Sequence, residues 1–209
     1  MFHYTQYRST HIKLIREFIE RFPLALITSF VDGDWQSSHI PLFLNEHNNE
    51  LFGHVDASNS QFAITDDLPV QIVFAGPNIY IPPEAYATRQ LPTWNYLAVH
   101  ATGTLSIVNN SERNFEILRE TALRLKESPS TFRVEDSDQR VQKWIGSVRG
   151  LRIRMNDIEG RFKLSQDKSI EDVAAAAQYF SDTLSRQITP DLLLLFSGVD
   201  SHSTKGHLL

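Results

Sequence analysis

Residues 76–105 constrain the fold more than any other part of the chain, because prolines interrupt the first half and regular alternation marks the second. Apolar and polar side chains nearly alternate over residues 94–105, which is typical of a half-buried β-strand. The prolines stiffen the approach to this strand, since each fixes its own φ angle and favours an extended residue before it. Trp94, Asn95, Tyr96 and His100 therefore suit a flat heterocyclic ligand or a subunit interface. The alternative is a well-packed pair of strands.

Similar patterns predict short antiparallel strands along the whole chain. Asp32-Gly33 is a strong hairpin signal, because glycine adopts a positive φ angle at low cost. Asn156-Asp157 is a turn-forming pair and predicts a second hairpin. Six or seven such strands with inserted helices predict a mainly β fold, a closed or split barrel with helical additions. The predicted strands cover residues 24–31, 35–44, 50–55, 70–75 with a continuation at 79–81, 94–108, 151–155 and 158–164.

Apolar residues at spacings of three and four predict helices between the strands. Ser9 or Thr10 is expected to cap the first helix, and Ser111 the helix that follows the long strand. The last long helix is expected to turn five residues inward: Ile170, Val173, Ala177, Phe180 and Leu184. The predicted helices cover residues 12–22, 56–65, 111–125, 141–148 and 169–186, with a terminal helix or interface element at 191–196.

The composition is that of a globular protein. Apolar residues make up 41 % of the 209 residues, and no run approaches the roughly 18 apolar residues of a membrane helix. We expect one domain at residues 1–196 and a flexible tail at 197–209. The lack of cysteine excludes disulfides and thiolate chemistry, and the start of the chain has no signal-peptide pattern, so a cytoplasmic location is expected. The net charge of −5 makes direct DNA binding doubtful.

Several segments resemble the PaiB-like family. GPNIYIPPEAY at residues 76–86 and LPTWNYLAVHATG at 91–103 carry most of the resemblance, supported by HIP at 39–41, GHVDASNSQ at 53–61 and FKLSQD at 162–167. Members are called FMN-binding negative transcriptional regulators and belong to the flavin-binding split-barrel superfamily, which includes pyridoxine phosphate oxidase. The resemblance implies an antiparallel split barrel of Greek-key type, an FMN cofactor, and a homodimer that binds the cofactor at its interface.

The resemblance also implies which residues contact FMN. They lie on two hairpin strands, at the end of the third strand, on the proline-flanked strand, and in a late segment expected to come from the other subunit. In that order, they are Thr28, Ser29, Ser37, Ser38, His39 and Pro41; His54, Ser58 and Asn59; Arg89, Trp94 and Asn95; and Lys163, Ser165 and Gln166. The start of the helix predicted at residues 56–65 would offer N–H groups to the phosphate. The alternatives are strand pairing for Thr28 and Ser29, a helix cap for Ser58, and a solvated charge stripe for Lys163.

Two segments depart from the family's pattern, and at residues 82–85 an aromatic residue of the family is missing. The family usually carries Ala and Arg where this chain has Asp56 and Ser58. A carboxylate near the phosphate repels it, and the missing arginine removes the expected phosphate partner. Flavin affinity is therefore expected to be weakened or lost. Arg89 stands roughly where a lysine is expected, so one cation is retained.

Other functions stay open on the sequence alone. Flavins supply the redox chemistry themselves, so a flavin-dependent oxidoreductase, a flavin reductase or pyridoxine phosphate oxidase-like enzyme, needs few protein catalytic groups. Haem binding could use His39, His54, His100, His202 or His207 as a ligand. No tight histidine pair is present, and we expect no metal site. Regulation through a partner protein or through metabolism fits the composition better than direct binding of DNA.

Overall fold

The computed structural model describes residues 4–47, 49–63, 67–125, 134–135 and 137–184. The chain divides into two compact units, which we call the barrel unit, Met1–Gly76 with Leu97–Phe162, and the second unit, Pro77–Tyr96 with Lys163–Leu209. The single domain predicted at residues 1–196 stays a prediction. In the part of the chain that is described, no helix has the length and apolar character needed to cross a membrane.

The described chain contains seven strands and four helices. The sheet has the order β1-β7-β4-β3-β2-β5-β6, and β6 also pairs with β7, so that six strands close into a ring. This closure confirms the predicted mainly β barrel with helical additions. The strands are β1 Arg8–Ser9, β2 Leu24–Val31, β3 Asp34–Leu44, β4 Glu50–Asp56, β5 Leu68–Ile81, β6 Thr93–Val108 and β7 Val148–Lys163; the helices are α1 Ile12–Arg21, α2 Ser111–Arg124, α3 Gln139–Trp144 and α4 Ile170–Leu184.

The hairpin between β2 and β3 forms as predicted. Asp32 and Gly33 have φ angles of 51° and 87°, and Val31 pairs directly with Asp34 across the turn. Positive φ angles at both central residues match the right-handed twist of the flanking strands. The turn therefore fixes the pairing register of the whole hairpin, from Val31 to the pair of Leu24 with Pro41.

The second predicted hairpin is wrong, because Asn156 and Asp157 lie inside one continuous strand, β7. β4 pairs with the first half of β7, and β1 pairs with the second half through Arg8 and Arg161. Both partners come from distant parts of the chain, and their main-chain hydrogen bonds outweigh a local turn preference. The two polar side chains are exposed, so their character reflects contact with solvent.

The helix caps differ from those predicted. His11 Nδ1 caps α1 by accepting a hydrogen bond from Leu14 N–H at 3.4 Å. Asn110 Oδ1 caps α2 by accepting one from Arg113 N–H at 2.9 Å, and Ser111 is the first helical residue. The predicted helix at residues 56–65 is also wrong within its described residues, which contain a single 3₁₀ turn, Ser60–Phe62.

The face that α4 buries matches the predicted one only in part. Phe180 is buried as predicted, but Asp172 and Ala176 are buried as well, whereas Ile170 is 80 % exposed and Ala177 is also exposed. In the second unit, Ala176 and Phe180 pack with Ile79, Ile81 and Tyr86 in a small apolar cluster. The predicted end of this helix at residue 186, the element at 191–196 and the tail at 197–209 lie outside the described residues.

Candidate functional site

Four of the predicted residues share one face of the β2–β3 hairpin. Successive side chains of a strand point to opposite sides, and directly paired residues point to the same side. Thr28 lies opposite Ser37, and His39 and Pro41 follow Ser37 at alternate positions. Thr28 Oγ1 and Ser37 Oγ form a hydrogen bond of 2.9 Å, so Thr28 does pair across the hairpin, and its contact with FMN stays a prediction.

This face also carries large apolar side chains that water can reach. Leu24 and Phe30 are each 55 % exposed and Trp35 is 69 % exposed, and the rings of Phe30 and Trp35 are 5.2 Å apart. None of the positions below is Asp, Glu, Lys or Arg. We call this surface the outer face; its residues are Leu24, Leu26, Thr28 and Phe30 of β2, Trp35, Ser37, His39 and Pro41 of β3, and Gln71 and Val73 of β5.

Ser29 and Ser38 lie on the opposite side of the hairpin, where they bind the turn that follows β4. Ser29 Oγ accepts a hydrogen bond from Gln61 Nε2 at 3.0 Å, and Ser38 Oγ accepts one from Asn59 Nδ2 at 3.0 Å. Gln61 is buried and its Nε2 also contacts two main-chain carbonyls of the hairpin, at 3.2 and 3.1 Å. Sequence reasoning missed Gln61, although it ends the GHVDASNSQ run. The six residues predicted on the hairpin are thus split between two faces.

The predicted phosphate site at the end of β4 has most of its N–H groups already bonded. Asp56 Oδ1 accepts hydrogen bonds from Ser58 Oγ at 2.6 Å and Ser58 N–H at 2.8 Å, and Asn59 Oδ1 accepts one from Gln61 N–H. The Ser58 hydroxyl, then its N–H, lowers the pKa of Asp56, which keeps the carboxylate charged. The N–H groups of residues 57–59 are thus already bonded, and cofactor contacts of Ser58 and Asn59 stay predictions.

Two histidines of the barrel unit hold a buried ring nitrogen. Nδ1 of His54 and Nδ1 of His100 have no hydrogen-bond partner among the described residues. Burial lowers the pKa of both imidazoles; for His100, the Arg161 guanidinium lowers it further, while Glu159 opposes this. Burial therefore favours the neutral form of both rings. An unpartnered buried nitrogen is a position at which water or a ligand atom is expected.

In the second unit, Asn95 and Ser165 are part of a buried hydrogen-bond network. Both are about 1 % exposed. Asn95 Nδ2 donates to Ser165 Oγ at 3.0 Å, and the hydroxyls of Ser165 and Tyr86 are 2.9 Å apart. Ser165 has a φ angle of 63°, a conformation that costs energy for a residue other than glycine. The two side chains thus serve the packing of this unit, and their contact with FMN stays a prediction.

Trp94 is available at the surface, as a ring-binding residue must be. It is 51 % exposed, and its Nε1–H donates to Asn78 Oδ1 at 3.2 Å. The ring of Tyr80 lies 6.2 Å away at a tilt of 51°. The hydrogen bond restricts the orientation of the indole, and about half of the side chain is open to solvent.

The three remaining predicted residues belong to the same unit. Lys163 Nζ donates to Thr93 Oγ1 at 2.5 Å, and Gln166 Oε1 accepts from Leu164 N–H at 2.7 Å. Arg89 is exposed and forms no ion pair within the described residues. Arg89 is therefore a predicted site residue with an exposed positive charge that no carboxylate of the described residues pairs with.

The chemistry of the predicted residues fits FMN, although the charged Asp56 carboxylate beside them would repel a phosphate. The barrel unit offers hydroxyls and an imidazole on the outer face, which suit the polar edge of a flavin ring. The second unit offers an exposed indole for ring contact and the Arg89 guanidinium for a phosphate. Three cavities of about 290, 350 and 240 Å³ lie around α2 and α3, and none of them is lined by a predicted cofactor-binding residue. Within the described residues, no group of three or more His, Asp or Glu side chains could hold a metal ion.

Comparison with known proteins assigns the family. The family model described as "Putative FMN-binding domain" matches residues 1–157, about three quarters of the chain. The chain belongs to this family. It is 26 % identical over 173 residues to protease synthase and sporulation protein PAI 2 of Bacillus subtilis, covering 79 % of this chain and 82 % of that protein. An uncharacterized protein of Aspergillus fumigatus is 27 % identical over 222 residues, covering 78 % of this chain and 84 % of its own.

Solved structures of similar fold confirm the predicted split barrel. The FAD and heme binding protein from Mycobacterium smegmatis has a TM-score of 0.61 at 15 % identity, covering 81 % of this chain and 80 % of its own. The flavocytochrome Anf3 from Azotobacter vinelandii has a TM-score of 0.63 at 12 % identity, covering 83 % and 78 %. At such identities the likeness concerns the fold. The FMN cofactor expected from the sequence is supported by the family assignment.

Proposed function

We propose that this protein is an FMN-binding homodimer that regulates transcription or metabolism without binding DNA directly. The observation that carries the proposal is the outer face, which combines an exposed apolar surface with hydroxyls and an imidazole on a member of the FMN-binding family. A flat ring needs both kinds of contact. The relative PAI 2 is named for protease synthesis and sporulation, which is consistent with a regulatory role.

The uncovered apolar side chains support the homodimer. Leu24, Phe30 and Trp35 are all more than half exposed on a surface without Asp, Glu, Lys or Arg, and such patches usually mark an interaction site. A second copy presents the same surface, so the contact can be self-complementary. We expect a mass of about 48 kDa in solution, twice the 23.9 kDa of one chain.

Light scattering after size exclusion tests the dimer. Replacing Trp35 by aspartate puts a charge on the outer face and is expected to shift the protein toward the monomer. Trp144 is 61 % exposed on α3 and is not part of the outer face, so Trp144→Asp is the matched control and should keep the wild-type mass. A wild-type mass near 24 kDa at all concentrations would refute the dimer.

Flavin binding is tested by titrating FMN fluorescence with the purified protein. Quenching that saturates at one FMN per chain supports the proposal, and no quenching at micromolar concentrations contradicts it. Replacing Thr28 by valine and Ser37 by alanine removes the paired hydroxyls of the outer face and is expected to weaken binding by about tenfold. Ser60→Ala, at an exposed serine of the 3₁₀ turn, is the control.

The same preparation separates the alternatives. FMN-dependent oxidation of NAD(P)H would replace the regulator by a flavin-dependent oxidoreductase. A Soret band on haem titration that is lost in His54→Ala or His100→Ala would show haem binding through an unpartnered nitrogen. A salt-dependent gel shift with a defined operator would establish direct DNA binding.

The remaining predicted contacts are part of this proposal. We propose that the fifteen residues named from the family pattern contribute to FMN binding, and that residues 1–196 fold as one domain. A single cooperative unfolding transition by two different probes supports the single domain. Two separated transitions would contradict it.

A further inference from the structure

A buried carboxylate holds the chain on both sides of Arg89. Asp172 is fully buried, and its Oδ1 accepts a hydrogen bond from Thr88 N–H at 2.8 Å. Its Oδ2 accepts from the Thr88 hydroxyl at 2.7 Å and from Gln90 Nε2 at 2.8 Å. The residue before Arg89 and the residue after it are thus tied to one carboxylate, while Arg89 itself is exposed.

The carboxylate is itself held rigidly. Asp172 is the third residue of α4, and its N–H donates to Ser169 Oγ at 3.3 Å at the start of the helix. One and two turns further on, Ala176 and Phe180 are buried in the apolar cluster of the second unit, which also contains Tyr86. We call the hydrogen bonds of Asp172 with Thr88 and Gln90 the clamp. The clamp joins residues 88–90 to a packed helix that lies 84 positions further along the sequence.

The clamp works through a charged group. The Thr88 hydroxyl is the main cause of a lowered pKa of Asp172; burial opposes it, and the Thr88 N–H and Gln90 amide add to it. A carboxylate that accepts several hydrogen bonds is a strong acceptor, since charge-assisted bonds are about twice as strong as neutral ones. Its acceptor oxygens face Thr88 and Gln90, so the charge holds the main chain and forms no ion pair with Arg89.

We propose that Asp172 is a positioning residue that holds residues 88–90 so that the Arg89 guanidinium binds the phosphate of FMN. This inference rests on the proposed function. The family match ends at residue 157, so the proposal adds a residue from outside the matched segment. It also supplies a phosphate partner in a chain whose residues 53–59 lack one.

The proposal predicts that Asp172→Asn weakens FMN binding, whereas the change in charge alone would strengthen it. Asp172→Asn removes a negative charge close to the phosphate partner, which by charge alone would tighten FMN binding. Loss of positioning weakens binding instead, because the loop and the Arg89 side chain must then be ordered when FMN binds. We expect the dissociation constant for FMN to rise about five- to tenfold, an amount within the range for ordering one long side chain. Riboflavin has no phosphate, so its affinity is expected to stay unchanged.

The experiment titrates FMN and riboflavin with the full-length protein and four variants. Asp172→Asn and Arg89→Gln are each expected to weaken FMN binding selectively, and the double variant to be no weaker than Arg89→Gln alone, since the two residues act through one contact. Glu171→Gln makes the same charge change at the exposed neighbouring position and should leave both affinities as in the wild type.

Each outcome separates this inference from the proposed function. If the wild type binds neither flavin, the proposed function fails and the inference with it. If the wild type binds FMN and Asp172→Asn keeps the wild-type ratio of FMN to riboflavin affinity, only the positioning role is overturned. Should Asp172→Asn not fold, Thr88→Val removes one hydroxyl donor and tests the same ratio with a smaller expected change.

Discussion

Replacing Gly103 by alanine is expected to push β6 away from β7 and to destabilise the barrel unit. A Cβ at this position would lie 2.5 Å from the main-chain oxygen of Arg154 and 2.9 Å from Ile153 Cγ2. Ordinary contacts of a methyl group begin near 3.4 Å, so the strands would have to separate by about 0.9 Å. The obstacle is a carbonyl within a sheet, which cannot move without lengthening its hydrogen bonds.

The expected loss in the free energy of unfolding is about 2 kcal/mol. Overpacking a well-packed core costs about 1–3 kcal/mol, and the main-chain obstacle favours the upper part of this range. Alanine restricts the unfolded chain more than glycine does, which offsets about 0.4–1 kcal/mol. For a chain of this size, the melting temperature should fall by roughly 4–8 °C.

Two other glycines provide controls with the same chemical change. Gly146 has nothing within 4 Å of its Cβ position and no positive φ angle, so Gly146→Ala should change the stability by less than about 0.5 kcal/mol. Gly33 also has open space but a φ angle of 87°, so Gly33→Ala should cost about 1–2 kcal/mol through backbone strain alone. Urea unfolding measures all three. Equal midpoints for Gly103→Ala and Gly146→Ala would refute the steric reasoning.

Three further predictions follow from the hydrogen bonds and the pKa shifts. The pKa of Asp172 is lowered from 3.8, so the carboxylate stabilises the fold above pH 3.8, and this contribution is lost as the pH falls through the folded-state pKa. Urea unfolding at several pH values should therefore show a smaller loss of stability at acid pH in Asp172→Asn than in the wild type. Burial lowers the pKa of His54 and His100, so NMR titration of the two imidazoles should give midpoints below pH 6.5. The same histidines bind protons more readily in the unfolded chain, so the fraction of unfolded protein should rise as the pH falls below 6.5. Gln61→Glu at neutral pH places a buried carboxylate against the main-chain carbonyls that Gln61 Nε2 now binds, and urea unfolding should show a loss of about 3 kcal/mol.

Alternation in the sequence located the strands well, because its cause is local. β2 begins at Leu24 and ends at Val31 as predicted, since a strand with one buried face must show period two in its own residues. The same holds for β6, which differs from the prediction only by starting at Thr93. The turn at Asp32-Gly33 was equally predictable, because positive φ angles restrict which residues are found there.

The errors arose where distant residues decide the structure. Asn156 and Asp157 favour a turn locally, but pairing of β7 with β4 and β1 extends the strand through them. In α4, apolar Ile170 is exposed and charged Asp172 is buried, because its hydrogen-bond partners come from residues 88–90. The strands that pair with β7 and the residues that bind Asp172 both lie far away in the sequence, so a local pattern does not reveal them.

The candidate site shows the same division. The residue types of the family pattern were recognisable, but the face on which each side chain lies depended on the pairing of the strands. Thr28 lies on the outer face, whereas its neighbour Ser29 lies on the opposite face and binds Gln61. Asn95 and Ser165 were found by motif, yet the structure uses their side chains in a buried network with Tyr86. A motif thus located the region of the site better than the contacts of each side chain.

The departure at Asp56 and Ser58 leads to a final prediction, about what holds the phosphate. In this chain the Asp56 carboxylate binds the N–H and hydroxyl of Ser58, so residues 56–58 offer a negative charge and no free donor to an anion. Asp56→Ala combined with Ser58→Arg removes that charge, frees the N–H and adds a guanidinium where the family usually has one. Charge-assisted hydrogen bonds contribute about 1.5–3 kcal/mol, so the dissociation constant for FMN should fall by at least about tenfold. Riboflavin affinity should not change. If FMN affinity is also unaltered while Arg89→Gln still weakens it, the phosphate is not bound near residues 56–58, and Arg89 is its main partner.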